Sequence, residues 1–436
     1  MISSEELHRI IERIGVFCPW YVQWLESLQK DKKIELEQLP LITASVLERY
    51  YYSSDNPLAG SDGLYEYRTS GTSSGRRKAI YYSETDEAAY MRIKLDVFRT
   101  IMGSAGYRTA LADMGTGHAE ATAARVFRQL GMEVTSIPYT LPIEQHLARL
   151  QSFQPEVLYT MPSILDRILL SSEHPESYGI RHVILVGEMA PAGWIRRAAE
   201  RLGIAVERIT DTYGSIEMGT LAYYSPQYGR YLLTEGLIAE GVGTEVLGEG
   251  VEPLPEQEQV LVLTSTVRES FPALRYVTYD VVRDLRPIIV DGVERMSFQS
   301  IVKRIGPDLK HGEKISIYDI EDVVNRHLGR LSSVRVYMDG NELKVVVYSL
   351  DDPNCSNGHR PEKLNGQEHT NKTKASRLLL EAVRQELEER IPEIGAMIRS
   401  GILGRIQVVY GSFQDEEQRS RVKHKKVYYD KVEGSE

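Results

Sequence analysis

Between residues 108 and 210 the sequence alternates short apolar runs with longer amphipathic stretches. The runs TALADM, MEVTSIP, EVLYTMP, HVILVGE and IAVERIT are separated by AEATAARVFRQLG, PIEQHLARLQSF, PSILDRILLSS and PAGWIRRAAERLG. Apolar strands alternating with amphipathic helices predict βαβ crossovers, and hence a parallel sheet covered on both faces. From 219 to 297 the runs become rich in Tyr, Val and Thr and are broken by Gly and Pro, the pattern of antiparallel strands joined by turns. Beyond 303, YDIEDVVNRHLG and SRLLLEAVRQELEERI read as helices, and SSVRVYMD, LKVVVYSL and GRIQVVYG as strands of a small α+β unit. The expected architecture is therefore α/β. A large domain, 1–303, carries the βαβ core and a β subdomain, and a smaller mobile domain spans 304–436. Within the latter, the polar stretch 351–374 is too poor in apolar residues to pack and is expected as a flexible surface loop.

Charge and cysteine usage narrow the partners. The 52 Lys+Arg against 62 Asp+Glu leave a net charge of -10, a poor footprint for binding along a nucleic acid. Cys18 and Cys355 are the two cysteines, too few for a disulfide framework or a four-cysteine metal site, so a reducing, cytoplasmic setting is expected. The N-terminal apolar residues recur at helical spacing between charges, and no run is long enough to span a bilayer, so no membrane partner is expected. Tyrosine is frequent, 26 against 7 Phe, which implies half-buried aromatic surfaces whose hydroxyls find partners.

Several segments carry chemistry. In YEYRTSGTSSGRRKAIYY the residues Thr69, Ser70, Gly71, Thr72, Ser73, Ser74 and Gly75 can turn successive N–H groups and hydroxyls toward a polyphosphate, with Arg77 or Lys78 as the cation that follows it. A strand rather than a helix follows, and the Walker A spacing fails. His118 opens a helix after a glycine-rich turn, within reach of a substrate carboxylate or acyl group. Glu217 follows the strand-end pair Tyr213-Gly214, the place where a parallel sheet opens a ligand crevice. Asp280, on a β-type run, can accept both hydroxyls of a ribose. Residues 419–431 hold six basic residues against one Asp, against the acidic trend of the chain.

In chain order, TSGTSSGRRK, LVGEMAPAGWIRR, TYGSIEMG, FPALRYVTYDVV, RIGPDLKHGEKISIYDIEDVV and RVKHKKVYYD resemble the ordered motifs of the adenylate-forming (acyl-CoA synthetase) superfamily, most closely its phenylacetate-CoA ligase-like branch. The resemblance implies ATP and AMP contacts from the phosphate loop and Lys78, from Gly187 and Glu188 at the adenine pocket, and from Asp211, Tyr213, Gly214, Ser215, Asp280 and Arg304. Of these, Tyr213 would stack on adenine and Ser215 would line the phosphate path. It implies Glu217 as the Mg2+ ligand, His118 at the acyl substrate, and Lys423 as the catalytic cation, with Lys425 and Lys426 as alternatives. The implied reaction activates a small or aromatic carboxylic acid with ATP as acyl-AMP, releasing pyrophosphate, and passes the acyl group to coenzyme A. The alternatives are transfer to an amine or a carrier-protein thiol, and a nucleotide- or acyl-binding homologue without turnover. A homodimer is compatible with this chemistry but not required by it. The chain departs from the family pattern at Ile216 (usually Thr or Ser), Tyr279 (usually Gly), Gly306-Pro307 (usually an acidic hinge) and Val422 (usually Gly).

Overall fold

The apolar runs of 108–210 form the strands Thr109–Asp113, Glu133–Ile137, Val157–Thr160 and His182–Leu185, paired in parallel in the order Glu133, Thr109, Val157, His182. Ala110, Leu111, Val157, Leu158, Val183 and Ile184 are wholly buried, as strands covered on both faces must be. The helices Ile143–Phe153, Pro162–Ser171 and Ala192–Leu202 turn Leu150, Ile164, Leu165, Ile168, Ala198 and Leu202 into the same core. Pro162 occupies the first turn of its helix, where its missing N–H costs nothing.

This computed structural model describes residues 2–28, 35–53, 56–68, 78–114, 118–139, 141–247, 253–305, 317–328, 332–339, 342–349, 366–399, 403–404, 406–411 and 427–429. They divide into two compact units. The first contains Met1–Gly106, Gly117–Leu130 and Thr210–Asp308, and the second Tyr107–Thr116, Gly131–Ile209 and Leu309–Glu436. Among the described residues no helix is long and apolar enough to cross a membrane.

The second unit also holds a four-stranded sheet in the order Ile406–Tyr410, Glu342–Ser349, Ser332–Asp339, Val427–Tyr429. The two inner strands are antiparallel and each outer strand runs parallel to its neighbour. Helices Ile317–His327, Gly366–Arg390 and Pro392–Arg399 pack on it through Ile320, Val324, Val383, Leu387 and Ile394. This is the expected α+β arrangement, with two differences. Part of the stretch expected as a loop, 366–374, is helical, because after Gly366 nothing breaks a helix growing back from the packed turns at Val383 and Leu387; polarity forbids packing, not propagation. The basic tail contributes a short strand, Val427–Tyr429, that its charge pattern hid.

In the first unit, helix Ser4–Phe17 is capped by Ser3, whose side chain accepts from the Glu6 amide at 3.2 Å, and buries Leu7, Ile10, Ile11 and Ile14 at helical spacing. Strands Tyr65–Arg68 and Ala79–Tyr82 form an antiparallel pair. Ser83 and Asp86 then form a capping box at the start of helix Glu84–Met102. Two antiparallel systems follow. One runs Leu237–Val242, Glu258–Ser265, Tyr276–Arg283, Ser300–Arg304, and the other contains Ile209–Ser215, Gly219–Ser225, Arg230–Leu233, Val293–Phe298 and Arg286–Val290. The fold is thus α/β, with a parallel βαβ core, an antiparallel β portion and a small α+β portion.

Candidate active site

Strand Ile209–Ser215 and strand Gly219–Ser225 are joined by a three-residue turn that carries Glu217. The pairing shifts register between Tyr213 and Gly214, and a Cβ on Gly214 would lie 2.7 Å from the Gly219 carbonyl oxygen, so no other residue fits there. The turn is held from both sides. Tyr82 Oη donates to the Ile216 carbonyl at 2.8 Å, Arg268 Nε donates to the Glu217 carbonyl at 3.0 Å, and the Met218 amide donates to Ser215 Oγ at 3.3 Å. Ile216 itself packs on the core of the N-terminal helices, so an apolar anchor replaces the usual hydroxyl.

The Glu217 side chain is half-buried, and among the described residues it makes no hydrogen bond or ion pair. Its charge is felt by Tyr52 and Tyr276, whose hydroxyls are pushed above the usual range first by burial and then by Glu217. Among the described residues no three acidic, His or Cys side chains cluster as a metal site. An unpaired carboxylate is a hard oxygen donor, of the kind Mg2+ takes together with phosphate and water.

Asp280 and Arg304 face one another across adjacent antiparallel strands. Tyr213 Oη donates to Asp280 Oδ2 at 2.6 Å, and Arg304 Nη1 lies 3.8 Å from Oδ1. Asp280 is buried, whereas the Arg304 side chain is 68% exposed, so water screens that ion pair. The structure thus brings Tyr213, Gly214, Ser215, Glu217, Asp280 and Arg304 into one neighbourhood. Tyr213 does not lie free, because its ring meets Phe298 edge-on at 6.1 Å.

Other expected residues have different surroundings. Asp211 is buried, with Oδ2 taken by Tyr231 Oη at 2.5 Å, and burial pushes its carboxyl up to about 7. In the second unit Gly187 has φ +79°, and both oxygens of Glu188 accept from Ser163, from its amide and its hydroxyl at 2.9 Å, which caps helix Pro162–Ser171. Lys78 pairs with Glu48 at 2.5 Å and lies 4.7 Å from the Tyr52 ring centre. The phosphate-loop residues 69–75 and Arg77, the hinge pair Gly306-Pro307, and Val422, Lys423, Lys425 and Lys426 lie outside the described residues, although Arg68 and Ala79, which flank the loop, are strand partners.

His118 is the first residue of helix His118–Gln129, as expected. Its Nε2 lies 2.8 Å from Glu87 Oε1, and its ring stacks on Tyr67 at 3.9 Å and leans on Tyr90 at 4.6 Å. Glu87, Arg268 and these tyrosines were not singled out in the sequence. The only signal was the excess of tyrosine together with the acids of SETDEAAY.

Tyr279 stands where the resemblance expects glycine, and its backbone keeps glycine's conformation, φ +63°. Its ring packs with Val260, Val262 and Val277, and its hydroxyl accepts from the Ala44 amide at 2.8 Å. Left-handed backbone costs an L-residue roughly 1–2 kcal/mol. Tyr279→Gly should therefore be more stable than Tyr279→Ala by about 1 kcal/mol in urea denaturation, the reverse of the order for an ordinary strand position. Equal or inverted stabilities would show that the site carries no backbone strain.

Comparison with known proteins adds the following. The AMP-binding enzyme family matches residues 32–261, and the fumarate--diaminopropanoate ligase C-terminal domain matches 310–354 and 369–414. A fumarate--(S)-2,3-diaminopropanoate ligase of Enterobacter agglomerans is 33% identical over 407 residues, 93% of this chain and 95% of that protein. A phenylacetate-coenzyme A ligase of Thermus thermophilus is 23% identical over 305 residues, 64% of each. Among solved structures, 2-hydroxyisobutyryl-CoA ligase in its postadenylation state matches with a TM-score of 0.68 at 17% identity, covering 98% of this chain and 88% of that one, a likeness of fold.

Proposed function

Since the chain belongs to the AMP-binding enzyme family, whose members form adenylates, we propose that it activates a small carboxylic acid with ATP and joins the acyl group to the amine of an amino-acid acceptor. The observation that carries the acceptor is the likeness to fumarate--(S)-2,3-diaminopropanoate ligase along nearly the whole of both chains, C-terminal portion included. The relative named for coenzyme A matches less of the chain at lower identity, so the amine is placed ahead of the thiol.

In this reading the acid's carboxylate attacks the α-phosphorus in line and pyrophosphate leaves, so positioning and electrostatics dominate. Asp280, oriented by Tyr213 and Arg304, accepts from the ribose. The loop 69–75 and Lys78 are assigned to the phosphates, and Lys423 to the positive charge that the reacting carboxylate needs. Glu217 would hold Mg2+, which when bound neutralises charge on the departing pyrophosphate.

The test is ATP–pyrophosphate exchange across a panel of acids that includes fumarate, followed by product analysis with (S)-2,3-diaminopropanoate or coenzyme A. Exchange with a short acid is expected, and amide should form at least about tenfold faster than thioester, a margin above one 1.4 kcal/mol step. Thioester without amide would return the acceptor to coenzyme A. Exchange with no acid would make the protein a nucleotide-binding homologue.

A further inference from the structure

Beside the Glu217 turn lies a cluster to which the adenylation step above assigns no role. His118 is enclosed by the rings of Tyr67, Tyr90 and Tyr82, the last at 5.3 Å, and its side chain is only 10% exposed. Its Nε2 meets the Glu87 carboxylate at 2.8 Å, an ion-pair distance with poor hydrogen-bond alignment. Among the described residues its Nδ1 has no hydrogen-bond partner.

The cluster is fastened to the site on both sides of Glu217. Tyr82 donates to the Ile216 carbonyl, and the Tyr90 ring lies where a Cβ on Gly219 would come within 2.4 Å of it. Gly219, with φ +83°, admits that ring against the strand that follows the turn. Behind Tyr90, the buried Lys94 reaches its hydroxyl at 3.3 Å and Thr122 at 2.9 Å, and Thr122 donates to the His118 carbonyl at 2.7 Å. The helix that bears His118 is thereby tied to the helix that bears Glu87. Burial opposes charge on Glu87, yet the neighbouring His118, the bond from Tyr67 and the charge of Arg268 hold its carboxyl below the ordinary range. Glu87 therefore stays ionised at neutral pH and is placed to fix the tautomer of the ring.

An amine acceptor poses a problem that a thiol poses far less. At neutral pH it arrives as an ammonium with no lone pair, and it must lose a proton before it can attack. We propose that the Glu87–His118 pair is the base for this step, an inference that rests on the amide-forming reading above. His118 Nδ1 takes one proton from the ammonium, and the freed lone pair forms the C–N bond at the acyl carbonyl. The bond from that carbon to the phosphate oxygen breaks, AMP leaves with its electron pair, and the second nitrogen proton goes to water. His118 is the catalytic residue and Glu87 a positioning residue whose carboxylate lies against Nε2. The charged and titratable groups around the ring are Glu87, Tyr90 and Lys94 on one helix, Tyr67 and Tyr82 on the strand pair, Glu120 on its own helix, and Arg268, whose guanidinium lies 3.7 Å from the Tyr82 ring centre.

The experiment compares two acceptors on the acyl-adenylate formed in place from fumarate and ATP. One is (S)-2,3-diaminopropanoate, and the other is hydroxylamine, which is largely unprotonated at neutral pH and needs no base. In His118→Ala, amide formation should fall at least about a hundredfold further than hydroxamate formation, the usual scale of general-base catalysis. That deficit should shrink by about tenfold per pH unit as the acceptor sheds its own proton. Glu87→Gln should give the same pattern at about a tenfold scale, in kcat rather than KM. Parallel loss of amide and hydroxamate in both variants, or a deficit that does not change with pH, overturns the proposal; hydroxamate formation also reports that the variant is folded. A wild-type protein that makes hydroxamate and thioester but no amide would sink the amide reading, and the base with it.

Discussion

Replacing Arg268 with alanine is expected to cost about 3 kcal/mol of folding stability, and replacing Asp86 with alanine nearer 5, because each strands a buried charge. The Arg268 and Asp86 side chains are 4% and 0% exposed. The guanidinium donates to Asp86, to the Tyr81 carbonyl at 2.6 Å, to Ser270 Oγ at 2.7 Å and to the Glu217 carbonyl. Without Arg268 the Asp86 carboxylate still accepts from the amides of Ser83, Glu269 and Ser270 and from the Ser270 hydroxyl, which places this loss at the lower end. Without Asp86 a guanidinium and three amides lose their acceptor together. Urea denaturation checks the order. The double variant Arg268→Met, Asp86→Leu should be more stable than Asp86→Ala, since it leaves no guanidinium stranded. A loss below about 1 kcal/mol for Asp86→Ala would mean that the pair contributes little beyond an exposed salt bridge.

The same network explains why part of the site was legible in the sequence and part was not. Tyr213, Gly214 and Glu217 lie within five residues, and a strand end followed by a tight turn fixes them locally, so motif reading reaches them. Asp280 was legible on a β-type run, whereas Arg304, read as the start of the next domain, is joined to it only by the strand pairing. Arg268 reads as an ordinary loop cation, because its partners Asp86 and Tyr81 are 182 and 187 residues away and only tertiary folding joins them. Glu87 is likewise one of several acids at a helix start until His118 is brought against it. Glu188 shows the converse. A local motif points to it, but not to the bonds that both of its oxygens accept at the start of a helix that begins 26 residues earlier.

The strongest test of the nucleotide assignment is a pair of variants with opposite signatures. Glu217→Gln keeps the size of the side chain and the backbone contacts of its turn, since the bonds from Tyr82 and Arg268 go to carbonyls. It removes only the negative charge that would hold a cation on the outer phosphates. Exchange should therefore fall by about a thousandfold, while AMP, which lacks those phosphates, should lose less than about threefold in affinity. Asp280→Ala should do the reverse. It takes away the acceptor of Tyr213 and the carboxylate facing Arg304, and with them the group proposed to receive the ribose common to every adenine nucleotide. AMP and ATP should both weaken by the same factor of about ten to a hundred, the worth of one hydrogen bond to a charged group. Calorimetric titration of each variant with AMP and with ATP, beside the exchange rate, separates the two. Equal losses of AMP and ATP affinity in Glu217→Gln would place that carboxylate on the ribose side, and the roles of Glu217 and Asp280 would have to be exchanged.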